Sequence, residues 1–319
     1  MREPSFAEVG IVDAAYHLPG EALDIGIWGP RVGLADALVA RLLQNGCQRF
    51  HAATGESDAD LVVRALEQLL QARELDPTRI AYVVHAHTQS YSIPAPPQSL
   101  LGEVAARCGL QPRLALSVGE LACAGIVKAL ELAHRLLQAD TAADYAVVLS
   151  SDRVFGGPAH RVRQESGIQS DGGAVLLLGR NEVRARIRDL WVRHLPGLAA
   201  GPGAAETARL MGSLPWSHSR RVLQEMQLRG PLRLDALAAL YPTNADGPYW
   251  QRLMATMGLD PALVFTRNMA ERGHACCSDL AINLADDGFA TLASGGQVLC
   301  FSQSNVGAYG AVLLQGVSP

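Results

Sequence analysis

Gly119-Glu120-Leu121-Ala122-Cys123-Ala124-Gly125 is the stretch whose reading decides the fold. It follows the apolar run Leu114-Ala-Leu-Ser117, and it opens a segment in which Ile126, Val127, Leu130, Ala133, Leu136 and Leu137 keep one face of a helix. The strand pattern Tyr145-Ala-Val-Val-Leu-Ser-Ser-Asp152 comes next. A thiol is thereby expected at a helix N-terminus, where free N–H groups and the positive end of the macrodipole favour the thiolate. Cys123 is a candidate for covalent catalysis. The competing reading is a core cysteine packed as a small hydrophobe.

Working outward, the same alternation of strand and helix continues in both directions. Upstream, Gly10 to Tyr16 reads as a strand, Glu56 to Leu70 as a helix, Ile80 to Val84 as a buried strand and Pro97 to Cys108 as a helix ending near Gly109. Downstream, Asp171 to Leu178 is a strand after a glycine turn, and Ala185 to Val192 opens a second half. Pro196 to Gly230 carries the weakest signal and reads as a lid or a surface excursion. Regularity returns in Asp235 to Tyr241, Trp250 to Met257, Val264-Phe265, Asp279 to Ala293 and Gln297 to Ser302, and Gly310 to Gln315 makes a closing strand. Alternation with buried strands argues for a layered α/β fold, divided here as 1–180 and 181–319.

At 319 residues and 49% hydrophobic content the chain can bury a large core. Charged residues make up 18%, the net charge is −4 and no run of five like charges occurs, so neither nucleic acid nor an anionic membrane is an indicated partner. The six cysteines (47, 108, 123, 276, 277 and 300) show no CxxC spacing, which suits a reducing cytoplasm better than a disulfide framework. No stretch reaches about 18 uncharged apolar residues, and the first residues lack a secretory pattern. The expectation is a soluble cytoplasmic protein.

With these residues in place the chain resembles the thiolase-fold condensing enzymes, and most closely the ketoacyl-acyl-carrier-protein synthase III group. Leu121-Ala-Cys-Ala-Gly125, Val148-Leu-Ser-Ser-Asp152, Ser170-Asp-Gly-Gly-Ala-Val175 and Gly307-Ala-Tyr-Gly-Ala-Val312 carry the likeness, in order, along nearly the whole chain. The resemblance implies two pseudo-duplicated α/β halves, a homodimer, and acylation of Cys123 from a thioester. It also implies an oxyanion hole made by the Cys123 N–H and a donor from the C-terminal loop Ser302-Gln-Ser-Asn-Val-Gly-Ala308, for which Asn305 is the choice.

The pattern breaks where condensing members place a histidine in His-Gln-Ala-Asn and, in a later loop, an asparagine after a glycine. Here those sites read Tyr241-Pro-Thr-Asn244 and Gly273-His274-Ala-Cys-Cys-Ser-Asp279. Claisen condensation requires stabilisation of both an oxyanion and an enolate, whereas acyl transfer to a hydroxyl or amine requires one oxyanion hole and one general base. A cysteine with one histidine meets the second requirement better. Asp279, five residues after His274, could orient the imidazole or merely start a helix. Tyr241, Thr243 and Asn244 are expected to shape the acceptor pocket or to end a regular element.

A subgroup of relatives in natural-product pathways, with a Cys-His-Asp site and acyltransferase activity, resembles this arrangement. The leading expectation is therefore an acyltransferase that moves an acyl group from a coenzyme A or carrier-protein thioester to a hydroxyl or amine, with no other cofactor. A decarboxylative condensing enzyme and a non-catalytic partner subunit are the alternatives. The family's coenzyme A site is altered, and Arg41, Arg153, Arg161 and Arg163 are read either as donor contacts or as solvated charges. His85-Ala-His87 lacks a third ligand at a suitable spacing and is not read as a metal site. Glu120 is read either as reaching the active site or a dimer partner, or as exposed.

Overall fold

A computed structural model describes residues 8–163, 166–194 and 205–317, with the side chains of 205–214 left aside. Its layers follow from the two-residue alternation of buried strands. Nine strands form the main sheet: β1 (Gly10–His17), β2 (Ile80–Ala86), β3 (Leu114–Val118), β4 (Tyr145–Asp152), β5 (Gly172–Gly179), β6 (Ala185–His194), β7 (Leu237–Pro242), β8 (Gln297–Gln303) and β9 (Ala308–Gly316). Their order is β7-β8-β9-β6-β1-β5-β4-β2-β3.

The pairing pattern occurs twice. From β1, the ladders to β5 and on to β4 are antiparallel, and those to β2 and on to β3 are parallel. From β6, the ladders to β9 and β8 are antiparallel, β7 joins in parallel, and Leu240 makes a parallel bridge to Val264. The two runs meet where Gly10 and Ile11 pair with Arg186 and Ala185. This is the duplicated, layered α/β architecture expected from the sequence.

Among the helices of the described residues, those that cover the strands are α1 (Asp58–Ala72), α2 (Leu100–Cys108), α3 (Gly125–Ala139), α4 (Ala205–Leu228), α5 (Gly247–Thr256), α6 (Asp279–Asn283) and α7 (Phe289–Ala293). Val147, Leu149, Val175 and Leu177 face outward under α1 and α2, and their neighbours Ala146, Val148, Ala174 and Leu176 face inward onto α3. In the second half Leu299, Phe301, Ala311 and Leu313 pack under α4 and α5, while Val298, Cys300, Val312 and Leu314 share the inner cluster with α6 and α7. The inner faces of both halves thus enclose α3, α6 and α7. Cys123 and His274 lie just before α3 and α6, and this shared core brings those helix starts together.

Gly173, in the Ser170–Val175 motif, shows why a glycine stands there. A Cβ would lie 2.5 Å from the Leu61 carbonyl carbon, so the strand can approach the α1 backbone only without one. Local boundaries also follow capping. Ser57 closes a capping box with Asp60, which starts α1 at Asp58 rather than Glu56, and Ser99 caps α2, leaving Pro97 outside it.

One expectation needs correction. The irregular reading of 196–230 fails for most of its length, because α4 runs for 24 residues with Pro215 inside it. Val222, Leu223 and Met226 are buried against β6, β8 and β9, so tertiary packing holds a helix that Gly and Pro obscured in the sequence. Residues 196–204 lie outside the described part. The regular segment 279–293 is α6 and α7 joined by a π-helical turn at Leu284–Gly288. Among the described residues no helix is long and apolar enough to cross a membrane.

Candidate active site

Cys123 sits in a single 3-10 turn, Ala122–Ala124, that leads into α3, and it is 4% exposed. Its N–H belongs to the first turn of a helix, where N–H groups lack intrahelical partners. Ala122 has φ +44° and Cys276, across the site, has φ +53°. Backbone of this kind in a non-glycine residue costs on the order of 1–3 kcal/mol and is held only where the surroundings over-determine it. Here the Cys277 thiol donates to the Ala122 carbonyl at 3.3 Å, tying one strained turn to the other.

His274 reaches the site from a short extended stretch beside Gln169, with its N–H on the Ile168 carbonyl and its carbonyl on the Ser170 N–H, both at 2.9 Å. Gly273 precedes it at φ +67°, where a Cβ would meet Ser170 Oγ at 2.9 Å. The imidazole is fully buried, with Nε2 3.3 Å from Cys123 Sγ and Nδ1 2.5 Å from Asp279 Oδ2. Asp279, the first residue of α6, also accepts the Ala275 and Asn244 N–H groups, each at 2.7 Å. Its carboxylate is thus aimed by backbone donors, and it fixes the tautomer with Nδ1 protonated and Nε2 towards the sulfur.

The charges follow from these contacts. The hydrogen bond with Cys276 is the largest influence holding the Cys123 thiol well below the ordinary thiol range; burial opposes it, and His274 and Arg163 add to it. Burial works against a charged His274, but the Asp279 carboxylate and Cys123 outweigh it and raise its pKa to about 9. Both shifts favour a thiolate beside an imidazolium over the neutral pair. Cys276 is pushed far up by its bond to Cys123 and by burial, so one thiol of the pair ionises at the other's expense. The Thr88 hydroxyl donates to Cys123 Sγ at 3.6 Å. Asp152, behind the site, is raised to about 8 by burial, against the Gln89 and Thr88 N–H groups it accepts.

The other residues singled out from sequence divide. Asn244 comes to the site through its N–H on Asp279; its Oδ1 accepts from Asn283, and its Nδ2 is buried without a partner. Tyr241 is 1% exposed, and its hydroxyl is 2.6 Å from Asp287 and 2.9 Å from Thr291, because strand alternation turns it onto the inner layer beside α7. Thr243 Oγ1 accepts the Gln303 N–H and pins the ends of β7 and β8. Asn305 is exposed in the turn between β8 and β9. Glu120 is exposed at φ +63°.

The arginines read as donor contacts or solvated charges have protein partners. Arg153 binds Asp58 and the Glu56 carbonyl, each at 2.9 Å. Arg161 grips buried Asp171 with two bonds at 3.0 and 2.9 Å. Arg163 reaches the site itself, with Nη1 3.0 Å from His274 Nε2. Arg41 is exposed. Sequence reasoning missed Cys276 and Thr88 as site residues and singled out Arg163 only as a donor contact or a solvated charge. Only the position of Cys276, two residues after His274, gave a signal.

The donor atoms of Cys123, His274 and Cys276 lie within 4.8 Å of one another, a spacing a metal ion could use. The fit fails on charge and on ligand atoms: Asp279 occupies Nδ1, and a guanidinium stands against Nε2. His85 and His87 stack at 5.6 Å, His85 Nε2 meets Ser151 Oγ, and burial lowers His85 to about 3, which makes it a neutral core histidine.

No family model matches the chain. Its fold is the thiolase-like fold of the ketoacyl synthase III enzymes and their relatives. It superposes on ChlB3, described as an acyltransferase, with a TM-score of 0.84 and 18% identity over 98% of each chain. It superposes on AbyA1, a tetronic acid condensing enzyme, with a TM-score of 0.77 and 23% identity over 97% of this chain and 100% of that one. A stretch of 99 residues is 35% identical to beta-ketoacyl-[acyl-carrier-protein] synthase III of Levilactobacillus brevis, covering 31% of this chain and 29% of that protein.

Proposed function

We propose that this protein is an acyltransferase that carries an acyl group on Cys123 from a coenzyme A or carrier-protein thioester to a hydroxyl or amine acceptor. One observation carries the reading: Cys123 Sγ, His274 and Asp279 form a continuous chain at 3.3 and 2.5 Å, with one histidine whose free nitrogen faces the sulfur. The thiolate attacks the thioester carbonyl, the tetrahedral oxyanion is met by the Cys123 N–H, and the imidazolium gives its proton to the departing thiol. The neutral imidazole then takes the proton of the acceptor as it attacks acyl-Cys123. Collapse returns the thiolate and the imidazolium.

The likeness to ChlB3 supports transfer, and the likeness to AbyA1 keeps carbon–carbon bond formation as the competing outcome. What favours transfer is the region that would hold the enolate partner in a condensing site. It offers no histidine: Tyr241 stands there turned into the core, and Asn244 meets Asp279 through its backbone N–H. The proposal extends to a cytoplasmic homodimer in natural-product biosynthesis. The exposed edge strand β3, with Leu114 42% exposed, leaves an unpaired backbone edge that a second copy would cover.

The test is single-turnover discharge of acyl-Cys123 by a panel of alcohols and amines, with released carbon dioxide measured alongside. Discharge to ester or amide without carbon dioxide is the expected result. Discharge only by a malonyl thioester, with one carbon dioxide released per turnover, would overturn it in favour of condensation.

A further inference from the structure

The base has an unusual neighbour. His274 Nε2 lies between Cys123 Sγ at 3.3 Å and Arg163 Nη1 at 3.0 Å. A guanidinium can only donate, so it bonds to Nε2 when that nitrogen is bare and opposes its charge when it is protonated. The other groups around the imidazole are Asp279 on Nδ1, the Cys123 and Cys276 thiols, and, farther back, Asp152 against the Cys277 N–H. Asp246 and Tyr309 lie in the field of Arg163. Among the described residues no carboxylate forms an ion pair with Arg163.

In the resting enzyme the thiolate offsets the crowding of two cations. Acylation removes that negative charge and leaves Asp279, among the described residues, as the only anion touching the ring. The phosphates of a coenzyme A or phosphopantetheine donor are not what this guanidinium serves, since a whole pantetheine arm separates them from the reacting sulfur.

We propose that Arg163 is a positioning residue that keeps His274 Nε2 free of its proton whenever Cys123 carries no charge, so that the acyl-enzyme meets its acceptor with a base rather than an acid. For its use in turnover the inference rests on the acyl-transfer reading above. The proton is accounted for: it leaves Nε2 with the donor's thiol in the first step and returns from the acceptor in the second. Arg163 favours the first transfer and blocks reprotonation from solvent between them.

The test does not depend on any acyl substrate. Cys123→Ala gives a site with no sulfur charge, and the His274 titration is followed by NMR of ring-labelled histidine in that background alone and with Arg163→Met, Arg163→Gln or Arg163→Lys. Loss of the guanidinium is expected to raise the His274 midpoint by about one pH unit or more, tenfold in proton affinity, in both neutral variants. Lysine should restore most of the original value. A midpoint unchanged in either folded neutral variant, or raised equally by Lys, would overturn the proposal. A failure of Cys123 to accept any acyl group would leave this titration untouched, so the two readings fail separately.

Discussion

Asp279→Asn separates the two roles that the sequence left open for this residue. The carboxylate is 2% exposed and accepts three N–H groups: His274 Nδ1 at 2.5 Å, and Asn244 and Ala275 at 2.7 Å. An amide has one acceptor oxygen, so whichever way it is turned its NH2 faces at least one of those donors. An unsatisfied buried N–H costs about 1–3 kcal/mol, and a charge-assisted bond is about twice as strong as the neutral one that would replace it. A stability loss of about 2–4 kcal/mol is expected on those grounds.

The chemical loss is larger. Without the carboxylate the imidazolium loses its main support, the proton returns to Cys123, and the Nδ1–H tautomer is no longer enforced. General acid–base catalysis contributes about 10²–10⁴-fold, and the acceptor-dependent rate should fall within that range. The direct assay is iodoacetamide alkylation of Cys123, read by peptide mass spectrometry across pH. The variant should alkylate at least about tenfold more slowly at neutral pH, with its midpoint displaced upward. If rate and midpoint match the wild type while the variant is folded, Asp279 is only the first residue of α6 and the orienting role is refuted.

Three further outcomes follow from the geometry. Gly173→Ala should destabilise by about 1–3 kcal/mol or more through overpacking against the α1 backbone, seen as a lower urea midpoint with Cys123 alkylation unchanged once folded. Arg161→Met strands buried Asp171 and should cost about 3–5 kcal/mol by the same measurement, with no change in the thiol's pH profile. Asp152, raised to about 8 by burial, contributes stability that is complete below the unfolded carboxyl value and is lost as pH rises through its folded value. Stability should therefore decline by at most about 1.4 kcal/mol per pH unit from pH 5 to 8 on its account, and Asp152→Asn should flatten that slope in urea titrations.

Where the argument stayed within one element or a few residues, the sequence was legible. The strands of the first half alternate cleanly, and Cys123 opens a helix whose apolar face is unmistakable. His274 and Asp279 are five apart across one 3-10 turn, close enough to meet with little help from tertiary structure. Helix α4 was hidden because Gly and Pro lower local propensity and its support comes from β6, β8 and β9. Which face Tyr241 takes was not legible because a strand end looks the same whichever face is the core. Arg163 is 111 residues from His274, and only the short pairing of Val162-Arg163 with Gly167-Ile168, followed by the Gln169 bridge, delivers it to Nε2. Charge alone could not distinguish it from Arg153 or Arg161.

The central claim is that Cys123 carries the acyl group. Its most direct test is the intact mass of the wild type and of Cys123→Ala after incubation with acyl-coenzyme A and acyl-carrier-protein thioesters. The account predicts a single acyl adduct on the wild type, localised to Cys123 and absent from the variant. An adduct that persists in Cys123→Ala, or none on the wild type with any donor, would contradict it.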